Sequence, residues 1–536
     1  MSQKTSPFNL RQTWALWAGL ALVGLLTLGL GVTVLARNAG HLTYVLDDAY
    51  IHLAMARSLA QYGVWGATPY AFSSSSSSPL WTGGLALLMH LIGNFPTLPF
   101  WLNLGLSVIL IVLIYGYWVQ HGLSQPQVAL ALVLLILAMP LLPMIFNGME
   151  HILHTILTLA FLLALERALL SSAPRSTYLS LLALALLLPL VRYEGLFLIA
   201  VTAAVLTWQR RWRLGLALVG SALLPITLLG LWFVQQGWWF LPVTLLIKGA
   251  PGTGQNPLDL LRALGVRLGH NLGHAPQMGL LLLGLGISLW SGWRRERRLE
   301  GENTLLLIVA VATLIHLMLA SVQGFARYQA YLVASAIVVL TPPLMRLDLR
   351  RWFSTPWLAG LAHSLVVALI LAVPVLAGAY FTLAVPRASA NIYQQQYQIA
   401  RFVGRFYPQG TVALNDIGAV AYFTNAHIID LVGLATRDIA QARLGGTLDA
   451  PTIDWITRQA GADLAIVYDA WFPGQLPSHW YKVGEWEIPD NLVCGDATVS
   501  FYALREQDIP TLRAHLRAFA PQLPPQVQQR GTYLRP

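Results

Sequence analysis

Apolar stretches long enough to cross a membrane recur from residue 12 to residue 384 of this 536-residue chain and then stop. A hydrocarbon core about 30 Å thick takes about 20 consecutive apolar residues to cross as helix. Within lipid, only helices and closed barrels satisfy every backbone polar group. The repeated runs therefore predict an α-helical polytopic membrane protein. Hydrophobic residues make up 56% of the chain, above the roughly 45–50% of a soluble domain. The first run, Thr13 to Ala36, is too long for the core of a cleavable signal peptide, and no small-residue cleavage site follows it. It reads as a retained anchor.

The formal charge is +10, from 33 basic against 23 acidic residues, a balance that in a soluble chain would suggest nucleic acid. Its placement argues otherwise. Lys4 and Arg11 precede the first run, Arg167 and Arg175 share a short connection, and "RRWR" (Arg210, Arg211, Arg213) occupies another. Arg294 to Arg298 and the group Arg346, Arg350, Arg351 mark two more. Basic residues confined to short loops are the positive-inside signature, so the basicity reports orientation and no nucleic acid is expected. With those loops cytoplasmic, the runs give about eleven crossings of a cell membrane, with the N-terminus inside. The last, 356–384, leads out, so residues 387–536 are expected to be extracytoplasmic.

Two pieces near the N-terminus do not span. Pro79 to Gly93 has the length of a re-entrant or interfacial segment. "HLAMARSLAQYG", in the first external loop 37–78, places Leu53, Ala56, Leu59 and Ala60 on one helical stripe, and is expected to lie along the outer interface. The run Ser73 to Ser78 fits either a flexible linker or the edge of a site. Cys494, the single cysteine, excludes an intramolecular disulfide and a cysteine-based metal cluster.

Once topology is assigned from the arginines, the remaining ionisable residues of the bundle collect at its outer ends: Asp47, Asp48, Glu150, Arg192, Glu194, Lys248 and Arg327, the last followed by Tyr328. Arg192 and Glu194 sit at the tip of a pair of apolar arms of about 14 residues, or about 21 Å of helix, which places the tip below the outer surface. Ionisable groups at such depth normally face a bundle interior or a wet cavity. Each charge alone has an ordinary explanation: mutual pairing for Arg192 and Glu194, a helix N-terminus for Glu150, an interface anchor for Lys248. Their coincidence on one face points to an outward polar cavity. His151 and His154 stand at i, i+3 beside Glu150, a spacing that can hold a metal. No third ligand follows at a recognisable spacing, so no metal site is assigned, although a divalent cation is compatible with the carboxylates.

Carboxylates beside cations in such a cavity suit group transfer from an anionic lipid. A carboxylate can take the proton of an acceptor hydroxyl, and guanidinium groups can hold a leaving phosphate. There is no Walker-type loop and no GxGxxG after a strand. The ordered set "LDDAYIHLAMARSLAQYG", "SSPLW", "NGME", "RYEG", "LPVTLLIKG", "ARYQAYL" and "VALNDIGAVAYFTNAHIIDLVGLAT" resembles the GT-C superfamily of membrane glycosyltransferases. In motif order it is most similar to the bacterial branch that includes the mycobacterial terminal arabinofuranosyltransferases. The resemblance implies an inverting glycosyltransferase of cell-envelope glycan biosynthesis. The donor would be a polyprenyl-phosphate-linked sugar and the acceptor a glycan, lipid or protein hydroxyl. It further implies an acidic residue of the first external loop as base, hence Asp47 or Asp48, with Glu150, Arg192, Glu194, Lys248, Arg327 and Tyr328 lining the donor site. Tyr193 in "RYEG" departs from a proline common among relatives, so the sugar does not follow from the resemblance. If the loop helix begins at Ala49, Asp48 is its N-cap and Asp47 the freer carboxylate, which makes Asp47 the expected base. Arg327 and Lys248, without acidic neighbours in sequence, are the expected phosphate ligands.

From Arg387 the composition changes, and the chain divides into a transmembrane domain, 1–386, and a soluble α/β domain, 387–536. "GTVALNDIG", "HIIDLVG", "ADLAIVYDA" and "ATVSFYAL" read as strands and "APTIDWITRQAG" as a helix. The Trp and Tyr residues of "WYKVGEWEIP" suit either stacking on an acceptor glycan or the domain core. A transporter or lipid flippase would also carry ionisable residues in its bundle, but the chain shows no hydropathy repeat, and its charges gather at one end. A non-catalytic glycan-assembly protein is the other alternative.

Overall fold

The computed structural model describes residues 13–170, 172–249, 257–296, 301–346 and 355–535. Among these, six helices are long and apolar enough to cross a membrane, or eight if each of two bent pairs counts as one span. The chain is thus a multi-pass membrane protein. The bends have local causes. Pro140 separates Gln125–Ala138 from Leu141–Asn147, which meet at 47°, and Pro276 opens the helix that follows His274 at 103°. Arg175–Val191, Gly195–Trp208 and Ala330–Met345 are apolar but shorter, as is Pro79–Ile92. The charges expected at Lys4, Arg11, Arg297, Arg298, Arg350 and Arg351 lie outside the described residues.

Gly148, in the "NGME" run, shows how a sequence signal becomes geometry. It closes helix Leu141–Asn147 at φ 70°, and a Cβ there would lie 2.4 Å from the Tyr44 ring. Only glycine fits both the left-handed backbone and the contact. The chain can therefore turn directly into helix His151–Leu169 with Glu150 at its start.

The long helix Pro356–Gln394 carries past the composition boundary and, after a break at Gln395, continues as Gln396–Phe406. Beyond it lies a six-stranded sheet: β1 Thr411–Leu414, β2 His427–Asp430, β3 Leu464–Val467, β4 Tyr481–Glu487, β5 Thr498–Ala503 and β6 Gln528–Gly531, in the order β2-β1-β3-β5-β4-β6. β1 pairs in parallel with β2 and β3, and the remaining pairings are antiparallel. The continuous apolar runs of β1 and β3 suit strands covered on both faces. All four expected strands are present, as is the helix, Ala450–Gln459, capped by Asp449 accepting from the Thr452 N–H at 2.9 Å. The tryptophans of β4 and its approach are core residues: Trp486 packs against Phe402, Phe501 and Phe519, and Trp480 is also buried. Neither offers a face to a glycan.

The loop helix Asp48–Tyr62 is not interfacial. Every residue from Ala49 to Ser58 is buried, because the helix lies between Pro79–Ile92 and the short helix Gly418–Phe423 of the sheet domain. Two side chains clamp that short helix at its two ends. Asp47 accepts from the N–H groups of Gly418 and Ala419, at 2.7 and 2.8 Å. Arg57 donates to the carbonyls of Ala421, Tyr422 and Thr424, at 3.0, 2.8 and 2.8 Å. The acid meets the positive end of the helix and the base its negative end, the favourable sense for both. The serine run is also packed: Ser75 Oγ donates to the Leu434 carbonyl at 2.6 Å, and Ser76 and Thr82 share a 2.8 Å hydroxyl contact. It is a strap between the bundle and the sheet domain.

Candidate active site

Asp47 and Asp48 face different ways. Asp47 holds the N-cap position of helix Asp48–Tyr62, and its carbonyl accepts from the Tyr50 N–H at 2.9 Å, but its side chain caps nothing in that helix, since both carboxylate oxygens go to Gly418 and Ala419. Burial raises its carboxyl well above the ordinary carboxylate range, with Asp416 adding to the effect and the two N–H bonds opposing it. Asp48 instead lines a cavity of about 320 Å³, a volume within the ~300–1,000 Å³ range of small-molecule sites. The expected order of the pair is therefore reversed: Asp48 is the cavity carboxylate, and Asp47 holds the loop. The partners that decide this lie 371 and 372 positions away in sequence.

Arg327 Nη2 lies 2.5 Å from Asp48 Oδ2 and 2.8 Å from the Tyr328 hydroxyl, and Nη1 lies 3.0 Å from Met149 Sδ. The residues before it, Gly324, Phe325 and Ala326, all have left-handed φ, at 79°, 60° and 61°. Non-glycine residues in that region are strained, and such strain concentrates at functional sites. Arg327 thus has an acidic neighbour in space that its sequence neighbours do not reveal.

Arg192 follows helix Arg175–Val191 and is held on two sides. Nε and Nη2 engage both oxygens of Glu194, at 3.1 and 2.6 Å, and Nη1 reaches Glu150 Oε1 at 2.8 Å. This forked geometry is the strong form of an arginine-carboxylate contact. Arg192, Glu194 and Tyr328 line the cavity. Glu150 does not. It is wholly buried behind Arg192, with Oε2 3.7 Å from His52 Nε2, so it supports the wall where a donor-contacting residue was expected. Lys248 belongs to helix Val243–Gly249, and its side chain lies outside the described residues.

Arg267 was not anticipated. It lines the cavity from helix Pro257–His274, and among the described residues no carboxylate pairs with it. The sequence did carry a signal, since Leu261, Leu264, Leu268 and Leu272 form a helical stripe. The segment is too polar to read as a span, however. Asn271 fixes the helix by donating to the carbonyls of Leu317 and Ala320, at 2.8 Å each.

The sheet domain supplies Leu434 to the cavity wall. Asp430, buried at the end of β2, accepts from the N–H groups of Val432 and Ala435, at 2.8 Å each, and so shapes the loop that carries Leu434. Burial raises the Asp430 carboxyl to about 6, against the opposing backbone bonds. His151 and His154 are buried beneath the site. Among the described residues no three His, Cys, Asp or Glu side chains gather where they could hold a metal ion.

The six-stranded domain overlaps a match to the family described as "Domain of unknown function (DUF8728)", over residues 390–502. No curated protein sequence matches the chain. Among solved structures it is similar to ArnT from Cupriavidus metallidurans in the apo state, at 13% identity and a TM-score of 0.52, covering 91% of this chain and 98% of that one. The same ArnT bound to undecaprenyl phosphate gives 13%, 0.51, 91% and 99%. The archaeal oligosaccharyltransferase AglB from Archaeoglobus fulgidus, in complex with an inhibitory peptide and a dolichol-phosphate, gives 12% and 0.53, covering 94% of this chain and 75% of that one. The chain has the fold of ArnT and AglB. The likeness extends over the bundle and the sheet domain together, as the coverage of ArnT requires.

Proposed function

We propose that this chain is a glycosyltransferase that moves a sugar from a polyprenyl-phosphate donor to a hydroxyl of an extracytoplasmic acceptor. The reading is carried by Asp48 in the cavity within hydrogen-bond distance of Arg327, with Arg192 and Arg267 on the same walls. Two further observations support it. ArnT and AglB, which share the fold, are known bound to undecaprenyl phosphate and to dolichol-phosphate. The motif order also resembles that of arabinofuranosyltransferases, which makes a pentosyl donor the first to try and a hexosyl donor the second.

In this mechanism the acceptor oxygen attacks the anomeric carbon from the face opposite the phosphate, and its proton passes to the Asp48 carboxylate. The bond from the anomeric carbon to the phosphate oxygen breaks with its electron pair, and the lipid phosphate leaves with the anomeric configuration inverted. Arg267 and Arg327 neutralise the departing phosphate, while Arg192, locked between Glu150 and Glu194, keeps its position throughout. Guanidinium groups fixed before the reaction stabilise developing charge without reorganisation. Asp47 holds the loop. The cavity opens on the outer side, and the sheet domain is extracytoplasmic, in line with the arginine-rich short loops.

The test is turnover of the full-length protein in lipid nanodiscs with polyprenyl-phosphate pentose and hexose donors. Asp48→Asn should lower the rate by at least ~10²-fold, the contribution of a general base, while donor still binds. Transfer unaffected by that change would remove Asp48 as the base, and absence of transfer with every donor class would remove the reading.

A further inference from the structure

The "RRWR" run forms a second cavity, of about 570 Å³, at the other end of the short helices. Helix Gly195–Trp208 begins beside Arg192 and Glu194 and ends just before Arg210. Its 14 residues separate the two cavities by about 21 Å. Arg210 has φ 62°, left-handed for a non-glycine residue. It occupies a tight turn in which its own N–H bonds the Thr207 carbonyl at 3.0 Å and the Arg211 N–H bonds that of Leu206 at 2.7 Å.

The three arginines of this cavity are not equivalent. Arg211 is committed to the protein: Nη1 and Nη2 donate to the carbonyls of Ala168 and Leu169, at 3.1 and 3.0 Å, at the end of helix His151–Leu169. Tyr178 donates to the same Ala168 carbonyl at 3.2 Å. Arg210 and Arg213 pair with no carboxylate among the described residues. Arg213 lies over the Trp212 ring, 5.4 Å from its centroid. Leu170, Trp212, Leu214 and the half-buried Tyr178 complete the wall, and Leu170 and Trp212, with Trp208 and Leu216 next to them in sequence, are exposed apolar side chains.

We propose that this cavity binds the phosphate headgroup of an anionic membrane phospholipid. Arg210 and Arg213 hold the phosphate oxygens, Arg211 fixes the floor, and the acyl chains run along Trp212 and Leu216. Two guanidinium groups with no carboxylate partner among the described residues call for an anion. The apolar half of the wall calls for an anion that carries hydrocarbon, which a soluble phosphate ester does not. Basic pockets between membrane helices are suited to such headgroups, and tryptophan suits the boundary between headgroup and chain.

Native mass spectrometry of the full-length protein, released from micelles containing phosphatidylglycerol and phosphatidylcholine in equal amounts, tests this. Phosphatidylglycerol should be retained preferentially. The double variant Arg210→Ala/Arg213→Ala should weaken its retention by about thirtyfold, the combined effect of two basic side chains at an anionic surface. Trp212→Ala, which leaves the three arginines in place, should also weaken phosphatidylglycerol retention, and it decides the matter if the double variant does not fold. Equal retention of the two lipids, unchanged retention in the variants, or displacement by glycerol phosphate at the same concentration would overturn the proposal. The last outcome would make this a small-anion site.

Discussion

Replacing Gly418 by alanine should reach Asp48, the base of the proposed mechanism, through its neighbour. A Cβ at Gly418 would lie 2.3 Å from the Asp47 carbonyl oxygen and 2.7 Å from Oδ2. Comfortable non-bonded separations are about 3.5 Å, so about 1 Å of overlap has to be relieved. The obstructing atoms belong to backbone as well as side chain, and the move carries Asp48 with it. The two N–H contacts to the Asp47 carboxyl, each worth about 0.5–1.5 kcal/mol as ordinary hydrogen bonds, are stretched or lost. A displacement of about 1 Å at a reacting group can cost ~10²-fold in rate. The expected result for Gly418→Ala is therefore turnover down by about two orders of magnitude, together with a lowered melting temperature in detergent. Gly24→Ala is the control, since nothing lies within 4 Å of its added Cβ. A Gly418→Ala protein with normal turnover and normal melting would show that the Asp47 clamp does not position Asp48.

Arg267→Ala should raise the donor KM by about tenfold, the loss of one charge-assisted phosphate contact, with a smaller change in kcat; steady-state kinetics with varied donor will read the split. Arg327→Lys keeps the charge but cannot span Asp48, Tyr328 and Met149 together, so turnover should fall by about tenfold or more despite the conservative exchange. Asp430 predicts a pH dependence. Its folded carboxyl titrates at about 6, above the ordinary ~3.9, so the folded state holds the proton more tightly. The stability it contributes is complete below about pH 4, is lost as the pH rises to about 6, and is constant beyond that, with a span of about 3 kcal/mol. Melting curves of the wild type and Asp430→Asn should diverge across that window, the wild type losing stability relative to the variant as pH rises.

The bundle was legible because span-length apolar runs have few other fates, and the charges of Arg192 and Glu194 between two short apolar arms pointed to a polar cavity, which both residues line. What sequence could not supply was anything decided by contacts remote along the chain. The order of Asp47 and Asp48 depends on two N–H groups of a six-residue helix in the sheet domain. A local capping argument points the wrong way because the stronger donors come from outside the local segment. The serine run reads as low complexity, yet the structure fixes Ser75 against Leu434 from the sheet domain. Arg267 was missed for a different reason. Its helix is too polar for a hydropathy window, and only the spacing of its leucines marks it as helical.

The contact between Arg327 and Asp48 also bears on the order of events. With Oδ2 of Asp48 held by the guanidinium, an acceptor hydroxyl that arrives first meets an oxygen already engaged. A phosphate beside Arg327 offers that guanidinium a second anion and loosens its hold on Asp48. Turnover should therefore follow a compulsory sequence, donor before acceptor. Acceptor alone would bind unproductively, and the lipid phosphate released at the end would compete with the donor while being noncompetitive against the acceptor. Initial-rate patterns showing random addition of the two substrates would mean that the arginine does not guard the base.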